Sequence, residues 1–111
     1  MESISYSYPA AAPAARRAVV GVVGSGDLEV LLEPAHDGAI RIDINTSVSG
    51  RQRLWQALLD RLFAAGALPA ARLEINDCGA TPGVARLRIE QAFEEGGLFE
   101  DDAAPRREGA S

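Results

Sequence analysis

The chain has 111 residues, of which 47% are hydrophobic, and a formal net charge of -5. This length predicts one small domain that buries a core of its own without disulfides or a structural metal. The acidic balance argues against a nucleic-acid partner, because phosphate binding needs a basic face. All 11 basic residues are arginine, so the absence of lysine excludes Schiff-base chemistry and a P-loop.

The start of the chain shows no targeting segment. Met1 to Ile4 contain no basic region followed by an apolar stretch, and no window approaches the ~18 apolar residues that span a bilayer. We therefore expect a soluble cytoplasmic protein without a membrane partner. The single cysteine, Cys78, cannot form an internal disulfide, and with His36 as the single histidine a zinc site of the usual ligands is not expected.

The first half of the chain predicts strands. Three apolar residues alternate with serines before Pro9, as in a half-buried strand, namely Ile4, Tyr6 and Tyr8. After a proline-containing connector at 9–16, aliphatic runs at roughly 17–23 and 27–33 predict a β-hairpin with the tip Gly24-Ser25-Gly26. A turn follows at 34–38. Three isoleucines then alternate with polar residues in a strand with one buried face, namely Ile40, Ile42 and Ile44.

The second half predicts helix, strand and helix. Six apolar residues recur at helical spacing between an N-cap at Ser49 and a closing Gly66, namely Leu54, Trp55, Leu58, Leu59, Leu62 and Phe63. A short strand around Leu73 and Ile75 follows. Thr81 and Pro82 then predict the start of a second helix that ends at Gly96-Gly97 and has one apolar face, namely Ala85, Ile89, Ala92 and Phe93. The alternation of Ala85, Leu87 and Ile89 also fits a strand.

These elements predict an α+β fold. We expect a two-layer sandwich in which a mainly antiparallel sheet of about five strands carries two helices on one face. The short links in the first half favour hairpins over crossovers. The domain is expected to span 1–97, and the polar residues 98–111, which include Pro105, predict a disordered tail.

Ser25 is the residue that the sequence singles out for function. Glycine on both sides removes two β-carbons, permits positive φ, and lets a bulky group or a partner's active site approach the backbone. A catalytic serine needs a base, and the one histidine, His36, lies in a separate turn. No nucleophile-elbow motif surrounds Ser25 either. The pattern therefore favours covalent modification over catalysis, with a plain turn serine as the alternative.

Two other motifs in the sequence point less clearly to a function. The spacing of Gly21, Gly24 and Gly26 resembles a nucleotide-binding loop, but a strand-like run follows where that fingerprint requires a helix. Cys78 lies beside Asp77, and a neighbouring carboxylate raises a thiol pKa that a nucleophile needs lowered. A small cysteine-dependent enzyme subunit using Cys78 and a non-catalytic adaptor domain remain as alternatives.

Arg86 and Arg88 lie two positions apart on the second predicted helix. Their side chains should therefore point to different sides of the helix. One of them is expected to pair with Glu90 on the surface, as helical residues four apart do. Nothing else in the sequence assigns either arginine a role.

Three segments resemble the family of malonate decarboxylase acyl carrier subunits and, at longer range, the acyl carrier chain of citrate lyase. They are Gly24-Ser25-Gly26-Asp27-Leu28, Asp77-Cys78-Gly79-Ala80-Thr81-Pro82-Gly83-Val84 and Arg86-Leu87-Arg88-Ile89-Glu90-Gln91. The similarity covers nearly the whole chain and stops near Gly97. The citrate-type carrier shares the serine and Asp27-Leu28 but has another residue where Gly26 stands.

The resemblance implies a non-catalytic carrier. In that family a serine at the position of Ser25 is joined through a phosphodiester to a 2'-(5''-phosphoribosyl)-3'-dephospho-CoA arm, and Gly24, Gly26 and Asp27 would form the attachment loop. The thiol at the end of the arm holds acetyl and malonyl groups as thioesters. The implied partners are the acyl-transferase and decarboxylase subunits and the transferase that attaches the arm.

Overall fold

The computed structural model describes residues 2–24, 26–64 and 68–97. Its elements in chain order are β1 Glu2–Pro9, β2 Ala18–Gly21, β3 Leu28–Pro34, β4 Ala39–Thr46, α1 Gln52–Leu62, β5 Ala71–Asp77 and α2 Pro82–Glu95. The strands form one sheet in the order β1-β4-β5-β3-β2. The predicted α+β arrangement of a five-stranded, mainly antiparallel sheet with two helices is confirmed.

One row of apolar residues crosses all five strands and shows how the core is built. In sheet order the row is Tyr6, Ile42, Leu73, Leu32 and Ala18, each paired with the next. The helices cover this face with side chains that are almost fully buried, namely Trp55, Leu59, Ala85, Ile89, Ala92 and Phe93. Burying each large apolar side chain contributes about 1.5–3 kcal/mol, so this layer supplies most of the stability.

Aromatic rings join the two helices to the sheet. The ring of Phe63, directly after α1, packs 5.0 Å from Tyr8 on β1 and 5.9 Å from Phe93 on α2. The Tyr8 hydroxyl donates to Asp60 Oδ1 at 2.7 Å. Burial of the ring and this bond to the carboxylate raise the pKa of Tyr8 above its usual value. Both helices therefore lie on the same face of the sheet, as predicted.

Strand β5 lies at the centre of the sheet, between β3 and β4. It pairs parallel with β4 and antiparallel with β3, so α1 forms the crossover from β4 to β5. The expected hairpin connection holds for β2 and β3 but is wrong for β3 and β4. Residues 35–38 instead pass over the start of β5, where the Ala35 N–H donates to Ala70 O at 3.2 Å.

Helix α1 begins later than predicted. Its N-cap is Arg51, and no side chain caps it, so the prediction of Ser49 is wrong. Gly50 follows Ser49 with φ of +79°, a left-handed conformation that delays the start of the helix. Gly66, predicted to close this helix, lies outside the described residues, as does the predicted tail at 98–111.

Helix α2 follows the prediction. The Thr81 hydroxyl oxygen accepts from the Val84 N–H at 3.2 Å, and Pro82 is the first helical residue. Leu87 is exposed while Ala85 and Ile89 are buried. Within the described part of the chain, neither helix is long and apolar enough to cross a bilayer.

Candidate functional site

The hairpin predicted around Ser25 is present, but its loop is longer than expected. The β2–β3 pairing runs from Ala18 opposite Leu32 to Gly21 opposite Glu29, so the loop covers 22–27. Val22 and Val23, predicted as strand, leave the sheet and are 60% and 59% exposed. Ser25 lies outside the described residues, and the residues on either side of it define the site.

Strand β2 ends at Gly21, and no larger residue would fit at this position. Its φ is +80°, and a Cβ built at this position would collide with the carbonyl oxygen of Leu28. The same Cβ would lie 3.4 Å from Cδ of Arg88. The two strands therefore approach each other closely at this glycine, and the chain turns out of the sheet directly after it.

Backbone hydrogen bonds hold the second half of the loop against the segment after β5. The Gly26 N–H donates to Cys78 O at 2.8 Å, and the Cys78 N–H donates to Asp27 O at 2.9 Å. The Asp27 N–H donates to Gly24 O at 3.0 Å, which closes a turn over 24–27. Gly26 has φ of +76° and Gly24 does not have positive φ. Of the two glycines that flank Ser25, Gly26 is therefore the one that uses the positive φ that glycine permits.

The carboxylate of Asp27 is bound by Arg88 of helix α2. Arg88 Nε donates to Oδ1 at 3.2 Å and Nη2 donates to Oδ2 at 3.0 Å, a two-bond fork. The Leu28 N–H also donates to Oδ1, at 2.7 Å. The hydrogen bonds from Arg88, with that from Leu28, lower the pKa of Asp27, and the pKa of Arg88 is raised in turn. Both groups are charged at neutral pH.

The other arginine of this helix points away from the loop. Arg86 Nε donates to Glu90 Oε2 at 3.3 Å in an exposed pair. The predictions that the two arginines diverge and that one pairs with Glu90 are confirmed. Sequence reasoning missed the partner of Arg88, because Asp27 lies 61 residues away. The one signal was indirect, since both residues belong to the segments that carry the family resemblance.

Asp77 anchors the neighbouring loops at the same end of the sheet. Its side chain, in a residue only 3% exposed, accepts from the Thr46 hydroxyl at 2.8 Å and from the Ala80 N–H at 2.9 Å. Its carbonyl oxygen accepts from the Ser47 N–H at 3.1 Å. These bonds satisfy a buried carboxylate and fix the backbone at Cys78, on which the 22–27 loop rests.

In the described part of the chain, neither His36 nor a group of metal-binding side chains lies at this site. His36 lies in the turn at 35–38, at the opposite end of β3 from the 22–27 loop. Cys78 is a half-buried free thiol whose backbone, as described above, contacts the loop. No group of three or more His, Cys, Asp or Glu side chains in the described ranges could hold a metal ion.

Comparisons of this chain with known proteins all point to one family. Residues 15–96 match the family model for the malonate decarboxylase delta subunit (MdcD). The malonate decarboxylase acyl carrier protein of Pseudomonas paraeruginosa (strain DSM 24068 / PA7) is 59% identical over 97 residues, which cover 87% of this chain and 98% of the relative. The protein of that name from Azotobacter vinelandii is 55% identical over 95 residues, covering 86% of this chain and 96% of the relative.

A solved structure gives the same result for the fold. One chain in the crystal structure of a Pseudomonas malonate decarboxylase hetero-tetramer in complex with malonate is 55% identical to this chain, with a TM-score of 0.85. The match covers 87% of this chain and 100% of that chain. The relatives are therefore matched over nearly their whole length.

Proposed function

The chain belongs to the malonate decarboxylase delta subunit family, and on that premise we propose that this acyl carrier subunit bears its acyl groups on an arm attached to Ser25. The observation that carries the proposal is the open space beside the flanking glycines. Among the described residues, chain neighbours aside, a Cβ built at Gly26 would meet no atom within 4 Å, and one at Gly24 would meet only Val22 Cγ2, at 3.8 Å. A bulky group on the intervening residue therefore has room.

The arm that we propose is 2'-(5''-phosphoribosyl)-3'-dephospho-CoA, joined to the Ser25 hydroxyl through a phosphodiester. When bound, it supplies a terminal thiol that holds acetyl or malonyl groups as thioesters. The described residues fit an anionic linkage, because Arg88 compensates the charge of Asp27 two positions away. The loop thus presents no unpaired carboxylate that would repel a phosphodiester.

The residues of this chain supply position, and the proposal gives them no catalytic step. Backbone hydrogen bonds that join Cys78 to Gly26 and Asp27 hold the two residues after the proposed attachment point against the end of β5. A fixed anchor limits the volume that a tethered group explores and so raises its effective concentration at a partner's active site. Acyl transfer and decarboxylation are then the work of other subunits.

We propose three kinds of partner for this chain. They are the acyl-transferase subunit, the decarboxylase subunits and the transferase that attaches the arm. The similar chain in the hetero-tetramer supports other subunits as partners. We also propose a carrier domain of 1–97, of which residues 15–96 match the family model.

The substitution Ser25→Ala tests the proposal. In a host that makes the arm and its attaching enzyme, we expect the wild-type intact mass to exceed the sequence mass by that of the arm. Ser25→Ala should show the sequence mass alone and should abolish decarboxylation by the whole complex. The melting temperature should stay unchanged, because a hydroxyl in a hairpin loop contributes little to stability. An arm still attached to Ser25→Ala would refute the proposal.

Cys78→Ser is the matched control for the thiol. We expect this variant to take up the arm and to carry acetyl, since the proposed thioester forms on the arm. A modest stability change is expected from a hydroxyl at this half-buried position. A folded Cys78→Ser protein that bears the arm but cannot carry acetyl would instead assign the chemistry to Cys78.

A further inference from the structure

Arg88 binds the last residue of the 22–27 loop and lies near the residue that precedes the loop. Its fork binds the carboxylate of Asp27 at 3.0 and 3.2 Å. Its aliphatic stem lies near Gly21 at the end of β2, since a Cβ built on that glycine would be 3.4 Å from Cδ. One side chain of helix α2 therefore spans the base of the loop that contains Ser25.

The guanidinium group of Arg88 is held in one orientation. Nε and Nη2 donate to Asp27, and Nη1 donates to Gln91 Oε1 at 3.1 Å, so each of its nitrogens has an acceptor. The Arg88 and Asp27 side chains are 30% and 19% exposed, against 55% and 48% for the Arg86–Glu90 pair on the same helix. The first pair is better shielded from water and salt, and its fork fixes direction as well as distance.

Resting on the proposed function, we propose that Arg88 is a positioning residue for attachment of the arm to Ser25. Its fork to Asp27 holds the loop in the shape that the attaching enzyme accepts. In this transfer the serine oxygen forms a bond to the phosphorus of a precursor activated as a phosphoanhydride, the anhydride bond breaks and its phosphate portion leaves, and the serine proton passes to a base of the attaching enzyme. The hydroxyl must be aligned with the phosphorus, and a misplacement of about 1 Å can cost about a hundredfold in rate. Arg88 acts through Asp27 and the loop backbone, and it takes no part in the transfer itself.

The test is the rate of arm attachment to full-length variants. Unmodified protein is mixed with the arm precursor and an extract that contains the attaching enzyme, and intact mass is followed over time at several carrier concentrations. The variants are Arg88→Gln, Arg88→Lys, Asp27→Asn and the double variant Asp27→Asn/Arg88→Gln. Arg86→Gln is the matched control, because it removes the other arginine pair of α2 without contacting the loop.

We expect Arg88→Gln to lower kcat/KM for attachment by about tenfold to a hundredfold at a temperature where the variant is fully folded. Arg88→Lys keeps the charge but loses the fork, so it should fall between wild type and Arg88→Gln. Arg86→Gln should react like wild type. The double variant should lose no more than the more damaging single change, because both substitutions remove the same contact.

Several outcomes would overturn the inference. They are a wild-type rate for Arg88→Gln, an equal loss for Arg86→Gln, or losses that multiply in the double variant. A loss that disappears on cooling in step with refolding would show that Arg88 serves stability alone. If wild type itself gains no mass, the proposed function fails, which distinguishes that failure from a failure of the role of Arg88.

Discussion

The loops at the two ends of strand β3 share two local features, but their conformations depend on different parts of the molecule. The 22–27 loop precedes β3 and the 35–38 turn follows it. Each has a glycine with positive φ, Gly26 at +76° and Gly38 at +72°, and at neither would a Cβ meet an atom of the described part of the chain within 4 Å, chain neighbours aside. Each also has an aspartate whose pKa an arginine lowers, Asp27 and Asp37.

The difference lies in where the partners come from. Asp37 is bound by Arg41, four residues further on, in a pair whose aspartate and arginine side chains are 47% and 56% exposed. Asp27 is bound by Arg88 from another element, in a better shielded pair. The 35–38 turn thus takes its ion-pair partner from the strand that directly follows it, whereas the shape of the 22–27 loop requires β5 and α2 to be in place. Similar turn sequences therefore do not imply similar roles.

The largest expected effect is on the free energy of unfolding. It distinguishes a glycine that is needed for the close approach of two strands from one that is needed only for its positive φ. We expect Gly21→Ala to lower the free energy of unfolding by about 3 kcal/mol, because its Cβ adds a collision with Leu28 O to the strain of positive φ. Gly38→Ala should cost about 1 kcal/mol, from φ alone. Urea denaturation of both variants checks the difference. Equal losses would show that the two strands separate easily at Gly21.

A second pair of variants separates stability from attachment. Gly26→Val and Gly38→Val should each cost about 1–2 kcal/mol, because both place a β-carbon at positive φ in open space. Only Gly26→Val should slow arm attachment, by about tenfold or more, since its side chain stands beside Ser25 where the attaching enzyme must approach. Thermal melts and intact-mass time courses on the same preparations provide the measurement. A large drop in melting temperature with normal attachment would show that Gly26 is needed for the turn and not for attachment of the arm.

The smallest expected effect is a pH dependence. Because the pKa of Asp27 is lowered in the folded state, its charged form stabilises the fold above the unfolded value of about 4, and this stabilisation is lost as pH falls through the folded pKa. Asp27→Asn should therefore melt below wild type at pH 7 and approach it under acid conditions. Asp37→Asn should show a smaller gap at pH 7, because its pair is more exposed. A gap for Asp27→Asn that does not shrink in acid would contradict this.

The sequence predicted most of the fold because local patterns carry it. Alternation placed β1, β4 and β5, and the apolar stripe placed α1. It could not show that β5 inserts between β3 and β4, since that pairing joins residues far apart in the chain and depends on the best burial of all five strands at once. It also missed the early end of β2, where the close approach of Gly21 to Leu28 outweighs the strand preference of Val22 and Val23.

The candidate site likewise has a part that the sequence predicted and a part that it could not show. Gly24, Gly26 and Asp27 were predicted from their position around Ser25, and the assignment of Ser25 stays a prediction. The contacts that shape the loop come from Cys78 and Arg88, whose roles depend on tertiary packing. The sequence pointed to Cys78 for its thiol, whereas the structure uses its backbone N–H and C=O, and it pointed to Arg88 only as one of two surface arginines of a helix.

The central position of β5 sets an order of events during synthesis of the chain. Ser25 is synthesised before Cys78 and Arg88, and the 61 residues from Leu28 to Arg88 take roughly 3–12 s to add. During that interval the loop lacks the backbone of Cys78 and the side chain of Arg88 that binds Asp27. On the proposed function and the proposed role of Arg88, nascent and truncated chains would therefore be poor acceptors of the arm, and attachment would select folded chains.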